Sequence, residues 1–182
     1  MPNSATFTIL PIKTLLDKYV HNGVWADPFA GNNSPALYTN DLNPKTTAHE
    51  HIEADSFMNN FADAELDGVL FDPPYSPRQI TECYAGIGRK ATMLDTSSNF
   101  HAKIKDTIAR KIKPGGKCIS FGWNSNGLGA NRGFEKDLIV MVAHGGMHND
   151  TICVVETKIQ TRLETAVKPI PPTAVGILGV IL

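Results

Sequence analysis

The chain has 182 residues, of which 42% are hydrophobic and 19% charged, with a formal net charge of −1. That is the size of one domain with a substantial core and the composition of an ordinary soluble globular protein. The total charge rules out a uniformly basic surface, although a local basic face can act beneath a neutral total. The three cysteines, Cys83, Cys118 and Cys153, are odd in number and far apart, so they lack the paired spacing of a zinc site and read as buried thiols in a reducing compartment. No signal pattern opens the chain and no apolar run has the length of a membrane span. The expectation is a cytoplasmic protein with no metal and no membrane partner.

Leu15, Leu16, Tyr19 and Val20 recur at helical spacing after Pro11 and predict a short leading helix. A brief strand follows, ending at Asp27 and running into Pro28-Phe29-Ala30-Gly31. Residues 36–41 read as a second strand ending at Asp41, and 51–55 as a third ending at Asp55. Asp67-Gly-Val-Leu-Phe-Asp72 is an apolar run closed by Pro73 and Pro74. It reads as a fourth, buried strand, which must stop where proline can no longer donate to a ladder. Residues 80–87 are predicted helical. Asn99 is placed to cap a helix carrying Ile104, Ile108 and Ile112 on one face, and Lys113-Pro-Gly-Gly116 is its stop. Residues 117–122 are a fifth strand. Segments near 137–143 and 151–157, joined by a Gly-Gly turn, form an antiparallel pair. Strands alternating with helices before a closing hairpin indicate an α/β sandwich in one domain over residues 1–164. A Pro-rich and then apolar tail, 165–182, reads as loose or surface-docked.

Carboxylates therefore stand at the ends of four strands, at the sheet edge where open α/β folds bind ligands. The turn at Gly31 lets backbone N–H groups approach a ligand closely. A carboxylate such as Asp41 can accept two hydroxyl hydrogen bonds from a ribose, and Asp55 can accept from an adenine amine. Four neighbouring carboxylates would repel the phosphates of a dinucleotide or ATP. They suit S-adenosylmethionine, which carries a sulfonium and an ammonium and no phosphate. Asp72, a stiffened Pro73 carbonyl and the Tyr75 ring together can grip an exocyclic amine on a planar base.

The pair Asp27-Pro-Phe-Ala-Gly31 and Asp72-Pro-Pro-Tyr75, in this order and spacing, resembles the amino-group DNA methyltransferases, especially the adenine-N6 enzymes. It is similar to compact methylase-like proteins often encoded by bacteriophages. The resemblance covers roughly residues 8–158. It implies a three-layer, Rossmann-like class I S-adenosylmethionine-dependent methyltransferase, with a mostly parallel seven-stranded sheet and a closing antiparallel hairpin. By position it assigns the donor's methionine end to Asp27, Phe29 and Gly31, its ribose to Asp41, and its adenine to Asp55 with Phe57. Pro28, Ala30, Leu42 and Ser56 complete the implied cofactor-binding set. Asp72, Pro73, Pro74 and Tyr75 are the catalytic grip on N6 of an everted adenine in DNA. The family's turn usually has a second glycine two residues after the first, where this chain has Asn33 in Asn32-Asn33; asparagine tolerates positive φ better than most residues.

Arg78, Arg89 and Lys90 follow the catalytic loop and are expected to meet nucleic-acid phosphates, Arg78 foremost because it stands three residues from Tyr75. His49 with His51, and His144 with His148, have spacings that could suggest a metal, but the first pair is only two residues apart and the second flanks Gly145-Gly146, which disfavours the helix a chelate needs; solvated or core histidines are the reading. Phe121, Trp123, Asn124 and Asn126 follow the fifth strand near the predicted pocket, where they could floor the base; for the two aromatics core packing is the default reading. An RNA methyltransferase of the same fold (acting on guanine N2 or adenine N6) and a non-catalytic subunit that binds donor or nucleic acid are the alternatives. No block of residues is left for a separate target-recognition domain, so sequence selectivity is expected to be slight, to be supplied by short loops such as 76–98, or to come from a homo-oligomer or a separate target-recognition subunit.

Overall fold

The computed structural model describes residues 6–92, 98–144 and 150–159. The expected tail, 165–182, and His148 lie outside them. A 3-10 turn at Thr6–Thr8 leads into α1 (Leu10–Tyr19), where Pro11 presets the first turn and Ile12, Leu15 and Leu16 form the buried stripe. Six strands follow: β1 (Trp25–Asp27), β2 (Tyr38–Thr39), β3 (Leu66–Phe71), β4 (Ile112–Gly122), β5 (Phe134–Val142) and β6 (Thr151–Lys158). Between them lie α2 (Ala54–Asn59), α3 (Pro77–Gly86) and α4 (Ser98–Lys111). The strand order is β2-β1-β3-β4-β6-β5. β1 to β4 run parallel, and β6 runs against both β4 and β5.

Two apolar layers sandwich the sheet, and strand parity sorts residues between them. Val69 and Phe71 of β3 face Phe57 and Met58 of α2 and Ile104 and Ile108 of α4. Leu70, between them, joins Trp25 and Ile119 beneath Ile12, Leu15 and Leu16 of α1. Gly68 is bare because the Trp25 indole crosses it: a Cβ there would lie 2.5 Å from the ring. The expected three-layer α/β architecture and the closing antiparallel pair are present. Among the described residues no helix is long and apolar enough to cross a membrane.

The sheet has six strands among the described residues, where seven were expected. The missing one is the third. Segment 51–55 contributes no ladder; its neighbour Glu50 makes one isolated parallel bridge to Asn40, and the chain turns into α2 at Ala54. The buried Asn40 side chain takes over the pairing. Its Oδ1 accepts from the Ile52 N–H at 3.0 Å, while its Nδ2 donates to the Ile52 carbonyl at 3.0 Å and the Pro28 carbonyl at 3.1 Å. That amide satisfies both backbone polar groups of Ile52, while Glu50 and His49 keep backbone bonds to Thr39 and Asp41. The fifth strand also starts earlier than expected. β4 begins at Ile112 and slips register between the pairs Leu66–Ile112 and Gly68–Lys117, carrying the helix stop as an irregularity. α4 begins at Ser98, so Asn99 lies inside its first turn and is not the cap.

Candidate active site

The turn after β1 is held by carboxylates. Asp27, fully buried, accepts from the Phe29 N–H at 2.9 Å and the Ser34 hydroxyl at 2.6 Å. Asp41 accepts from the Gly31 N–H at 2.9 Å with one oxygen and from the Asn43 N–H at 2.8 Å with the other. Gly31 has φ of +55° and is the turn's only left-handed residue; neither Asn32 nor Asn33 adopts a positive φ. The second glycine of the family pattern is therefore not required by this backbone. Asn32 instead braces the turn from outside, its Oδ1 accepting from the Thr47 N–H at 2.9 Å.

The loop after β3 is built to hold its shape. Asp72 and Pro73 are buried, Pro74 and Tyr75 half-buried. Ser76 caps α3 by accepting from the Gln79 N–H, and the Gln79 side chain reaches back to accept from the Tyr75 N–H at 2.7 Å. That is a capping-box exchange displaced by one residue. His101 of α4 holds the Pro74 carbonyl at 3.1 Å. The Tyr75 hydroxyl donates to the Asp72 carboxylate. Its ring leans on Trp123, with centroids 5.5 Å apart.

Both turns open onto one cavity of about 320 Å³. Pro28 to Asn33, Asn40 to Asn43, Asp72 and Pro74 line it, with Thr6 and Phe7 from the N-terminal turn. Ile52, Glu53 and Ala54 form another wall, and Ile80, Cys83, Tyr84 and Ile87 of the α3 region cover it. Burial pushes the Asp27 carboxyl up to about 7, with Asp72 and Asp41 adding repulsion, against hydrogen bonds from Ser34 and Phe29. Burial likewise pushes Asp72 up to about 6, opposed by the Tyr75 and Thr6 hydroxyls. Burial and the Asp72 charge hold the Tyr75 phenol in its protonated form. Two carboxyls buried in this way favour a cationic guest, which restores the charged form of Asp27 and Asp72.

The structure brings Pro28, Phe29, Ala30, Gly31, Asp41, Leu42, Asp72 and Pro74 together around the cavity. Asp27 lies directly behind that wall, tying its turn. Asp55, Ser56 and Phe57 do not line it. Asp55 binds Lys103 at 2.7 Å and the Thr107 hydroxyl at 2.8 Å, linking α2 to α4; burial would raise its pKa, but these partners hold it below the usual range. Ser56 is exposed and Phe57 is core. The carboxylate of this segment at the cavity is Glu53, two residues earlier, because α2 starts where the third strand was expected to end. Tyr75 also stands outside the cavity, on the β4 side of Asp72. Arg78 pairs with Glu82 at 2.8 Å, Arg89 with Glu53 at 2.9 Å, and Lys90 is exposed.

Asn40, Glu53, Cys83 and Tyr84 also line the cavity, although they belong to neither sequence motif. Only Asn40 left a trace, an amide at the end of a predicted strand. Cys118 and Cys153 are buried as expected, but Cys83 is exposed and faces the cavity. Phe121 packs in the core as expected, whereas Trp123 is 43% exposed because β4 ends at Gly122. The His51 ring binds the Asp41 carbonyl and His144 binds the Thr151 hydroxyl.

No protein-family model matches the sequence, and no curated protein matches it. Solved structures do. TrmN from Thermus thermophilus is 16% identical with a TM-score of 0.52, the match covering 86% of this chain and 53% of that one, so this chain spans about half of TrmN. The 1,6-didemethyltoxoflavin-N1-methyltransferase of Burkholderia thailandensis, solved with S-adenosylhomocysteine bound, is 11% identical with a TM-score of 0.55, covering 81% and 76% of the two chains. The N-methyltransferase NodS from Bradyrhizobium japonicum is 11% identical with a TM-score of 0.53, covering 85% and 97%. At these identities the likeness is one of fold: the chain carries the Rossmann-like α/β fold that these methyltransferases share.

Proposed function

We propose that the protein transfers a methyl group from S-adenosylmethionine to the exocyclic N6 amine of adenine in DNA. One observation carries this reading: the glycine turn after β1 and the Asp72 loop after β3 line a single cavity, ringed by carboxylates. The cavity's residues fit the donor. Its volume falls in the range of small-molecule sites. Ile52, Ile87 and Tyr84 offer apolar walls for an adenine ring, Asp41 and Glu53 offer acceptors to ribose hydroxyls, and buried Asp27 and Asp72 attract positive charge. When bound, S-adenosylmethionine supplies an electrophilic methyl on a sulfonium.

The chain's own residues prepare the acceptor. An adenine amine is a poor nucleophile because its lone pair is delocalised into the ring. Asp72 accepts one of its N–H bonds, replacing the Tyr75 hydroxyl, and the Pro73 carbonyl accepts the other. The nitrogen is drawn toward tetrahedral geometry and its lone pair is freed to take the methyl, while fixed dipoles hold the reacting atoms in line; the surplus proton on the methylated nitrogen passes along its hydrogen bond to the Asp72 carboxylate and from there to solvent. Tyr75 stacks on the base, which must leave the duplex to reach the site. Arg78, Arg89 and Lys90 meet the phosphates. The ion pairs of Arg78 and Arg89 are solvent-exposed surface pairs and exchange readily for phosphate. In this reading residues 1–164 are the methyltransferase domain.

The test is to incubate the protein with labelled donor and duplex DNA, single-stranded DNA or RNA, then digest to nucleosides and analyse by mass spectrometry. N6-methyladenine in DNA is expected; label confined to RNA transfers the reading to that substrate, and label in neither removes it. Asp72→Ala should abolish turnover with donor affinity largely kept, and near-normal methylation by that variant would refute the assignment.

A further inference from the structure

Trp123 follows β4 directly, beside the loop that follows β3. In the ladder Phe71 pairs with Ser120, so Trp123 stands three residues beyond that pair, level with residues 73–75. The chain's two tryptophans are treated oppositely. Trp25 is 4% exposed and its indole N–H donates to the Asn22 carbonyl at 3.1 Å. Trp123 is 43% exposed. Several large apolar side chains share that exposure, Leu10, Ile139 and Met141 among them, but Trp123 is the one in ring contact with the Asp72 loop. The Tyr75 and Trp123 rings touch, with centroids 5.5 Å apart, so no base fits between them; they are inclined by 58°, so bases on both faces cannot belong to one regular stack. Two aromatic faces side by side and tilted match a strand that bends sharply at one step, as happens where a base is everted.

We propose that Trp123 stacks on the nucleobase flanking the methylation target, while Tyr75 takes the target itself. This rests on the nucleic-acid reading above and names a residue outside both sequence motifs as part of the substrate site. Exposed aromatic platforms hold single-stranded bases without regard to sequence.

Tryptophan fluorescence tests it. Wild-type protein is titrated with oligo(dA) and with an abasic strand of the same length, using Trp123→Phe as the blank for the exposed indole. Quenching by oligo(dA) but not by the abasic strand is expected. In kinetics, Trp123→Leu should raise KM for an adenine-containing strand about tenfold, with the loss in KM and not in kcat, and Trp123→Phe should restore most of it. The Trp123→Leu defect should vanish on a substrate whose target is flanked by abasic residues. Absence of base-dependent quenching, or Trp123→Leu kinetics equal to wild type, overturns the proposal. If wild type methylates but shows no such quenching, the stacking role fails alone. If it quenches with oligo(dA) yet methylates nothing, the enzymatic reading fails and the base-binding role of Trp123 stands.

Discussion

Asp72 and Asp27 show what burial does to a single carboxyl. Asp72 accepts an amine hydrogen most strongly when ionised, and its site pushes it up to about 6. The expected pH profile of kcat/KM is therefore level above about 6 and falls about tenfold per unit below it; a flat profile from pH 5 to 8 would remove Asp72 from the mechanism. Asp27, raised to about 7 from 3.8, makes the converse statement about stability. Its folded pKa lies above its unfolded one, so its contribution is fully present below about 4 and is lost as pH rises through about 7. Asp27→Asn keeps an acceptor for the Phe29 N–H and removes the charge. Its melting temperature relative to wild type should thus be higher at pH 8 than at pH 5. A difference that stays constant or runs the other way would contradict this burial account.

Among the elements, the absent third strand is the informative one. Segment 49–53 contains His49, Glu50, His51 and Glu53, all exposed, so it has no apolar alternation with which to hold a sheet position. Asn40 does the pairing instead, and in doing so brings Ile52 and Glu53 to the cavity wall. Asn40→Ala leaves the Ile52 N–H without its partner and should cost about 1–3 kcal/mol, read as a lower urea midpoint with an unchanged slope. A variant as stable as wild type would show that the segment holds itself. The loop after β4 has a comparable brace. The fully buried Glu156 of β6 accepts from the Leu128 and Gly129 N–H groups at 2.6 and 3.0 Å, and Gly127, with φ of +59°, is bare because a Cβ there would run into that carboxylate. β6 thereby anchors the far end of the loop that Trp123 begins.

For the whole molecule, the cavity is assembled from four places in the chain, 6–7, 28–54, 72–74 and 80–87. A ligand that bridges them binds the folded state alone. S-adenosylmethionine at about a hundred times its Kd should stabilise the fold by about 2.7 kcal/mol, a melting shift of about 5–10 °C at this size. S-adenosylhomocysteine should act likewise, and no shift with either would show that the cavity is not the donor site.

Local chemistry was enough to read much of this protein. Asp72-Pro73-Pro74 must end a strand because proline cannot donate to a ladder, and Asp27 to Gly31 must turn because only glycine accepts the left-handed backbone without strain. The alternation of strands and helices, and hence the layers, followed from apolar spacing. What distance in the chain separates, only the tertiary structure decided: that Asn40 stands in for a strand, that Glu53 and not Asp55 faces the cavity, and that Tyr75 rests between Asp72 and an exposed Trp123. Those outcomes depend on which partner a polar group finds across the fold, and periodicity along a segment carries no record of that partner.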